Sequence, residues 1–374
     1  MIYNILGVFL ACIFFSGVLI PQILLIAFRR KLFDDVDERK IHKGSIPRLG
    51  GFAFQPVIMF AMIGSLGVNF YIQNTEILDL FVNDGMLLVT TFCALQLIYL
   101  IGIADDLVGI KYRAKFVAQI LCALMLLSGG VCFNDLHGIL GIYELPDWIA
   151  YPFTVVVMVF LINAINLIDG IDGLASGLSS IACVIYAVAF YLLGEYILCM
   201  LAVATLGVLI PFYYFNVFGD AEKHSKIFMG DTGTLTIGVL LSVLGTKLFS
   251  YDGDIEGIDV AVVAFSPLLV PCFDVVRVYM YRIRNGMNPF NPDRNHIHHR
   301  LLGAGLSQRA AMITIVLTSF LFTVVNAWMS LKININMIVI IDIVVWLALM
   351  YYLVFRTRFL NARKRDRAAS LEHS

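Results

Sequence analysis

Five clusters of polar residues interrupt an otherwise apolar chain, and their residue types suit the handling of phosphates. Asp105 and Asp106 close one apolar run. Two acids at a helix C-terminus oppose the macrodipole and repel each other, which favours a metal-binding or general-base role. The structural alternative is pairing with Lys111, Arg113 or Lys115. Asn163, Asn166, Asp169 and Asp172 end a second run, with Gly170 and Gly173 placed for a sharp reversal. Steps of three put Asn163, Asn166 and Asp169 along one helical face. Such groups are costly at a membrane helix end unless they line a wet cavity. Gly230-Asp231-Thr232-Gly233 opens a third run. Helix N-terminal amides there suit an anion such as a diphosphate, and Asp231 either holds the accompanying Mg²⁺ or caps the helix.

The remaining clusters are basic. Pro292 to Arg300 carries Arg294, His296, His298, His299 and Arg300. Three histidines allow zinc, but the arginine neighbours and the lack of cysteine favour phosphate binding. Arg39 to Gly51 carries His42 and Arg48, either as a basic membrane flank or as further phosphate ligands. Asp274 and Arg277, at i and i+3, read as a structural pair, and Asp342 as a polar contact inside the last apolar run.

The elements that must position these groups follow from composition. The 374 residues are 60% hydrophobic and only 14% charged, against roughly 25% charged in soluble domains. The bilayer is therefore the solvent for most of the chain. The pattern predicts an all-α polytopic membrane protein of about eleven transmembrane helices, ten at the least. The spans lie near 5–28, 50–72, 86–104, 115–133, 149–166, 174–193, 196–215, 232–249, 259–281, 310–330 and 335–355. Arg29, Arg30 and Lys31 follow the first run and no cation precedes it, so it reads as a spanning helix with its N-terminus outside. Of 26 Lys and Arg, only Lys247 and Lys332 fall outside the inner connections and their flanking helix ends. The outer connections collect acids, as the positive-inside rule requires. All five polar clusters then share the cytoplasmic face, where a cleft is expected.

Residues 1–360 read as one membrane catalytic domain and 361–374 as a basic cytoplasmic tail. A short hairpin is expected within 134–148. The seven cysteines lack metal-ligand spacing and read as buried apolar residues. A transporter of anions is the rival from another class, but transporters place their ionisable groups near the midplane and often show internal repeats. Acids for a cation, a helix N-terminus and basic groups for phosphates, all on one face, point instead to phosphoryl transfer at a membrane surface.

In register along residues 35–302, these motifs resemble the polyprenyl-phosphate N-acetylhexosamine-1-phosphate transferases, glycosyltransferase family 4. The shared features are Arg-Lys-x-His with Pro-Arg-x-Gly-Gly, the Asp pair, and Asn-x-x-Asn-x-x-Asp-Gly-x-Asp-Gly. Phe215-Asn216 through Gly230-Asp231-Thr232-Gly233 and Pro-Asp-Arg-x-His-x-His-His complete the set. His-x-His-His is similar to the WecA/TagO branch, whereas the MraY branch has three consecutive histidines. The resemblance implies transfer of an N-acetylhexosamine-1-phosphate, foremost that of GlcNAc, from a UDP-sugar to undecaprenyl phosphate. GalNAc, QuiNAc and FucNAc are the alternative sugars. The reaction would open cell-surface polysaccharide synthesis at a bacterial inner membrane, with Mg²⁺ (Mn²⁺ as substitute) and no nucleic acid; a homodimer is compatible. Asp231, Asp105 and Asp106 would be catalytic and metal-binding. Asn163, Asn166, Asp169, Asp172, His42, Arg48, Lys115, Asn216, Arg294, His296, His298, His299 and Arg300 would bind substrate.

Overall fold

The computed structural model describes residues 1–32, 46–288 and 295–372, with side chains described to residue 360. The chain begins with α1 (Ile2–Arg30), a 3₁₀ turn (Gly50–Ala53), α2 (Phe54–Tyr71), α3 (Thr75–Asn83), α4 (Gly85–Val108) and α5 (Tyr112–Ser128). A hairpin of β1 (Asp135–Ile139) and β2 (Ile142–Glu144) leads to α6 (Asp147–Ile168), α7 (Leu174–Leu193) and α8 (Tyr196–Tyr213), the last prolonged by a π turn (Tyr214–Phe218). Then come α9 (Gly230–Phe249), a second hairpin of β3 (Asp254–Ile255) and β4 (Ile258–Asp259), and α10 (Val260–Phe265). A 3₁₀ turn (Ser266–Leu268) joins α10 to α11 (Leu269–Arg284), before α12 (Ile297–Gly303), α13 (Gln308–Ser330) and α14 (Ile335–Glu372).

Ten of the described helical stretches are long and apolar enough to cross a membrane, so the chain is a mostly helical polytopic membrane protein. The fourth expected span corresponds to α5, which at 17 residues is the shortest of the series. At about 1.5 Å per residue it rises roughly 25 Å. Its start lies beside Asp231, at the beginning of α9. The segment following it meets the other end of α9, where Ser250 donates to the Cys132 carbonyl at 2.6 Å. The α5 segment therefore joins the same two ends of the bundle as α9 does.

α9 is the axis of the fold, with 94% of its apolar window buried among α4, α6, α7, α8 and α10. Its glycines, serine and threonines let neighbouring backbones approach closely, as small residues do in membrane bundles. Two of its buried hydroxyls are satisfied one turn back: Thr236 donates to the Thr232 carbonyl at 2.6 Å and Ser242 to that of Gly238 at 2.7 Å.

The hairpin expected in 134–148 is present, antiparallel, with Asp135 opposite Glu144 and Ile139 opposite Ile142. Four features were not anticipated. The connection 73–84 forms the amphipathic α3, which buries Ile77 and Phe81. The turn 254–259 is a second hairpin. The ninth span is broken where Pro267, lacking an amide hydrogen, interrupts the helical ladder. The histidine stretch winds into α12 rather than a loop. The 361–372 backbone continues α14 as helix.

Candidate active site

The N-terminus of α9 is where separate helices meet. Lys115, one turn into α5, donates its Nζ to Asp231 Oδ2 at 2.6 Å and also reaches Asp105 Oδ2 at the end of α4. Asp105 Oδ1 accepts from the Ile110 amide at 2.7 Å, which turns the chain between α4 and α5. Asn166, in the last turn of α6, donates to Asp231 Oδ1 at 2.8 Å and to Thr234 Oγ1 at 2.7 Å. Two carboxylates, an ammonium and a carboxamide from four helices thus converge on one point.

The neighbouring acid has a different position. Asp106 Oδ1 accepts from the Asp231 amide at 2.8 Å, and its Oδ2 from the Thr232 amide at 2.9 Å and hydroxyl at 2.6 Å. It caps α9 from another helix, satisfying amides that would otherwise be orphaned. The amides expected to bind a diphosphate are therefore taken by Asp106, and the cap expected of Asp231 is supplied by Asp106. Gly230 makes the approach possible. Its φ is +73°, and a Cβ there would lie 2.2 Å from the Arg48 carbonyl oxygen and 2.6 Å from Asp106 Oδ2.

Asn163 lies one turn deeper and pairs with Gln119 of α5, donating to its Oε1 at 2.7 Å. Asp169 follows α6 with its side chain exposed. Its carboxyl is pushed above the ordinary carboxylate range, first by desolvation from the protein around it, then by the charges of Asp231 and Asp172, with Arg48 opposing. Asp172 pairs with Lys226 at 2.5 Å. Asn216 is buried, accepting from the Gly173 amide at 2.7 Å and donating to the Ile227 carbonyl at 2.8 Å. It clips two connections together. Arg48 lies in the strip 47–51, whose backbone pairs with Phe228 and Met229 just ahead of α9.

The histidines close the other side. Asp274 on α11, wholly buried, holds His296 Nδ1 at 2.8 Å, the Ile297 amide at 2.9 Å and Arg277 at 2.7 Å. The expected Asp274–Arg277 pair exists, but it serves as the mount for α12. His298 is buried with its ring against Gly170, where a Cβ would come within 2.2 Å of the imidazole. Its imidazole is depressed to about 3, by desolvation first and then by His299 and His296. The His299 ring lies tilted against that of His298, centroids 4.2 Å apart, and Arg300 donates to Asn295 Oδ1 at 3.2 Å. His42 and Arg294 lie outside the described residues.

Sequence reasoning missed Lys226, Gln119, Thr232 and Thr234. The two threonines were visible in the Gly-Asp-Thr-Gly-Thr run, since hydroxyls in a first helical turn are common hydrogen-bonding groups. Lys226 and Gln119 had no local signal.

Among the described residues, no set of three or more acids, histidines or cysteines forms a closed metal cage. Mg²⁺ takes one or two carboxylates and completes its shell with water and phosphate oxygens. Asp105 and Asp231 fit that donor set, each keeping free lone pairs beside the point where Lys115 now holds them together. Asp106, expected with them as a metal ligand, already accepts from three donors and is turned away toward α9.

The fold and this site define a membrane-embedded enzyme with a cluster of polar groups suited to anionic substrates. The sequence profile described as "Glycosyl transferase family 4" matches residues 87–248, the stretch from α4 to the end of α9. A "Probable undecaprenyl-phosphate N-acetylglucosaminyl 1-phosphate transferase" of Bacillus subtilis is 31% identical over 336 residues, covering 87% of each chain. The "Undecaprenyl-phosphate alpha-N-acetylglucosaminyl 1-phosphate transferase" of Yersinia pestis is 30% identical, covering 80% of this chain and 78% of its own. The Escherichia coli K12 protein of the same name matches to the same extent. The chain belongs to glycosyl transferase family 4.

Proposed function

We propose that this protein transfers N-acetylglucosamine-1-phosphate from UDP-N-acetylglucosamine to undecaprenyl phosphate, releasing UMP and opening the assembly of a cell-surface polysaccharide. The observation that carries the reading is the convergence of Asp105, Lys115, Asn166 and Asp231, with His298 packed on the Asp169 turn, in a chain whose relatives, matched over most of their length, are named for this reaction. Carboxylates for a cation next to basic groups for phosphates suit a diphosphate rather than a sugar carbon alone.

An oxygen of the lipid phosphate attacks the β-phosphorus, the bond to the bridging α–β oxygen breaks, and UMP leaves with that oxygen. A phosphate monoester is largely dianionic near neutral pH, its second pKa being about 6. No side chain is then required to deprotonate the nucleophile. Asp231 and Asp105 would hold Mg²⁺, which would supply neutralisation of the diphosphate charge. In this reading the Lys115 ammonium would meet the lipid phosphate, while Asp106 keeps the start of α9 in place. The Asp169–Asp172 turn, with Lys226 paired to Asp172, would take the nucleotide, and the α12 histidines the diphosphate.

Eleven crossings, with α5 counted, together with the Lys and Arg gathered in the inner connections, support an N-terminus outside and a site at the cytoplasmic surface of the inner membrane. Residues 1–360 form the catalytic domain, followed by the basic tail. The exposed tip Leu140 tests this orientation: Leu140→Cys should react with an impermeant maleimide in spheroplasts, and Ser225→Cys only after permeabilisation. Labelling of Ser225→Cys in intact spheroplasts would invert the topology.

Activity is tested with purified protein, undecaprenyl phosphate, Mg²⁺ and a panel of UDP-N-acetylhexosamines labelled in the sugar. Label should enter the lipid phase fastest from UDP-N-acetylglucosamine. Faster transfer from another epimer would reassign the donor, and no transfer from any would refute the reading.

A further inference from the structure

We infer that Asp274 is a positioning residue for this reaction, acting through His296 by fixing which ring nitrogen faces the substrate. The inference rests on the phosphotransferase reading and extends it to a residue remote from the acids. Asp274 lies mid-helix on α11, wholly buried, where a carboxylate is costly unless it is fully bonded. Its donors come from the segment that begins α12. Oδ2 faces His296 Nδ1 at 2.8 Å, and Oδ1 accepts from the Ile297 amide at 2.9 Å and from Arg277 at 2.7 Å. Arg277 also reaches the Asn295 carbonyl, so the three residues entering α12 are all tied to one point on α11.

The consequence for the imidazole follows from its chemistry. A carboxylate only accepts, so Nδ1 carries the hydrogen and Nε2 is the nitrogen left for other work. Nε2 lies across the ring from Nδ1 and therefore points away from α11. Among the described buried atoms without a hydrogen-bond partner, the histidine nitrogens are His137 Nε2 and His298 Nδ1. His296 Nε2 is not one of them, and among the described residues the ring is bonded through Nδ1 alone, which leaves Nε2 within reach of solvent. The His296 and His298 rings are parallel, 5.9 Å apart, and His298 rests on Gly170 of the Asp169 turn. The ring fixed by Asp274 thus lies beside the one that packs on the Asp169 turn. Carboxylate–histidine pairs elsewhere set tautomer and orientation in this manner, and losing the carboxylate typically costs about 10–100-fold.

The test separates orientation from simple anchoring. In His296→Asn the carboxamide can still donate to Asp274, but the group at the Nε2 position is gone. That variant should keep the wild-type melting temperature and lose about 10–100-fold in kcat. Asp274→Asn should lose a similar factor in kcat, and the double variant should be no slower than His296→Asn alone. Multiplying losses, or wild-type kcat in Asp274→Asn, would overturn the assignment. Should Asp274→Asn fail to fold, ¹⁵N-imidazole spectra of the wild type decide: neutral His296 must be the Nδ1–H tautomer, and the Nε2–H tautomer would refute the inference. Wild-type protein that makes no lipid diphosphate sugar would instead sink the underlying reading, whatever the spectra show.

Discussion

The two ends of the bundle are both rich in acids, yet they use them differently. At the end that begins α9, Asp231 is held by Lys115, 116 positions away, and Asp106 by the Asp231 amide, 125 away. At the opposite end, Asp135, Asp252, Asp254 and Asp259 line an open cavity of about 470 Å³ between the two hairpins. Asp135 accepts from the His137 amide, Asp254 from that of Gly257 at 2.8 Å and Asp259 from that of Ala261 at 2.9 Å. Those are local turn and cap contacts, spanning two or three residues. What marks the active end is therefore not the number of carboxylates but partners drawn from distant helices.

The largest expected effect breaks or upholds this contrast directly. Asp231→Asn keeps the size of the side chain and loses its charge, so kcat should fall by about 100-fold or more while the protein remains folded. Asp254→Asn, in the hairpin, should stay within about twofold, since isolated surface changes have small effects. Comparable losses in both variants would erase the distinction between the two ends.

A finer contrast lies between two adjacent residues. Asp105 shares Lys115 with Asp231, whereas Asp106 caps α9. Asp105→Asn should lower kcat with little change in melting temperature. Asp106→Asn should also destabilise the fold, by about 1–2 kcal/mol as lost caps do, because its amide nitrogen cannot accept from α9. Equal melting temperatures and equal kcat losses would contradict the two roles.

The smallest effect concerns pH. Burial, His299 and His296 hold His298 at about 3, below its ordinary 6.5. The unfolded chain takes up a proton as pH falls through 6.5 while the folded chain does not, so this residue lowers stability progressively from there down toward pH 3. The loss is up to about 1.4 kcal/mol per pH unit. Melting temperature should drop between pH 7.5 and 5.5, and His298→Asn should flatten that drop. An unchanged slope would mean that His298 is not kept neutral.

Much of this was legible in the sequence, for physical reasons that differ by region. Long apolar runs and segregated charge give spans and their order, because the bilayer forces both. The exceptions are explained by their surroundings. Lys247 lies within electrostatic reach of Asp84 and Glu195. Lys332 sits 4.5 Å over the Trp328 ring, as a snorkelling side chain does at a membrane surface. The polar clusters were found because acids and amides at membrane helix ends need a reason. Their division of labour was hidden. Adjacent positions on a helix point about 100° apart, which makes Asp105 and Asp106 unequal, but only the packing of α4 on α9 decides which one becomes the cap. Asp274 read as half of an i, i+3 pair, since its bond to His296 joins segments 22 residues apart. Lys226 and Gln119 each find their partner only through tertiary contact.

The central claim is that the sugar moves together with its phosphate. The most direct measurement uses UDP-N-acetylglucosamine carrying ³²P at the β-phosphorus and ³H in the sugar, with undecaprenyl phosphate, Mg²⁺ and purified protein. Both labels should enter the organic phase in a 1:1 ratio, since one phosphate travels with each sugar, leaving unlabelled UMP in water. Tritium in the lipid with ³²P remaining in water as UDP would contradict the account, and the roles given to Asp105, Asp231 and the α12 histidines would fall with it.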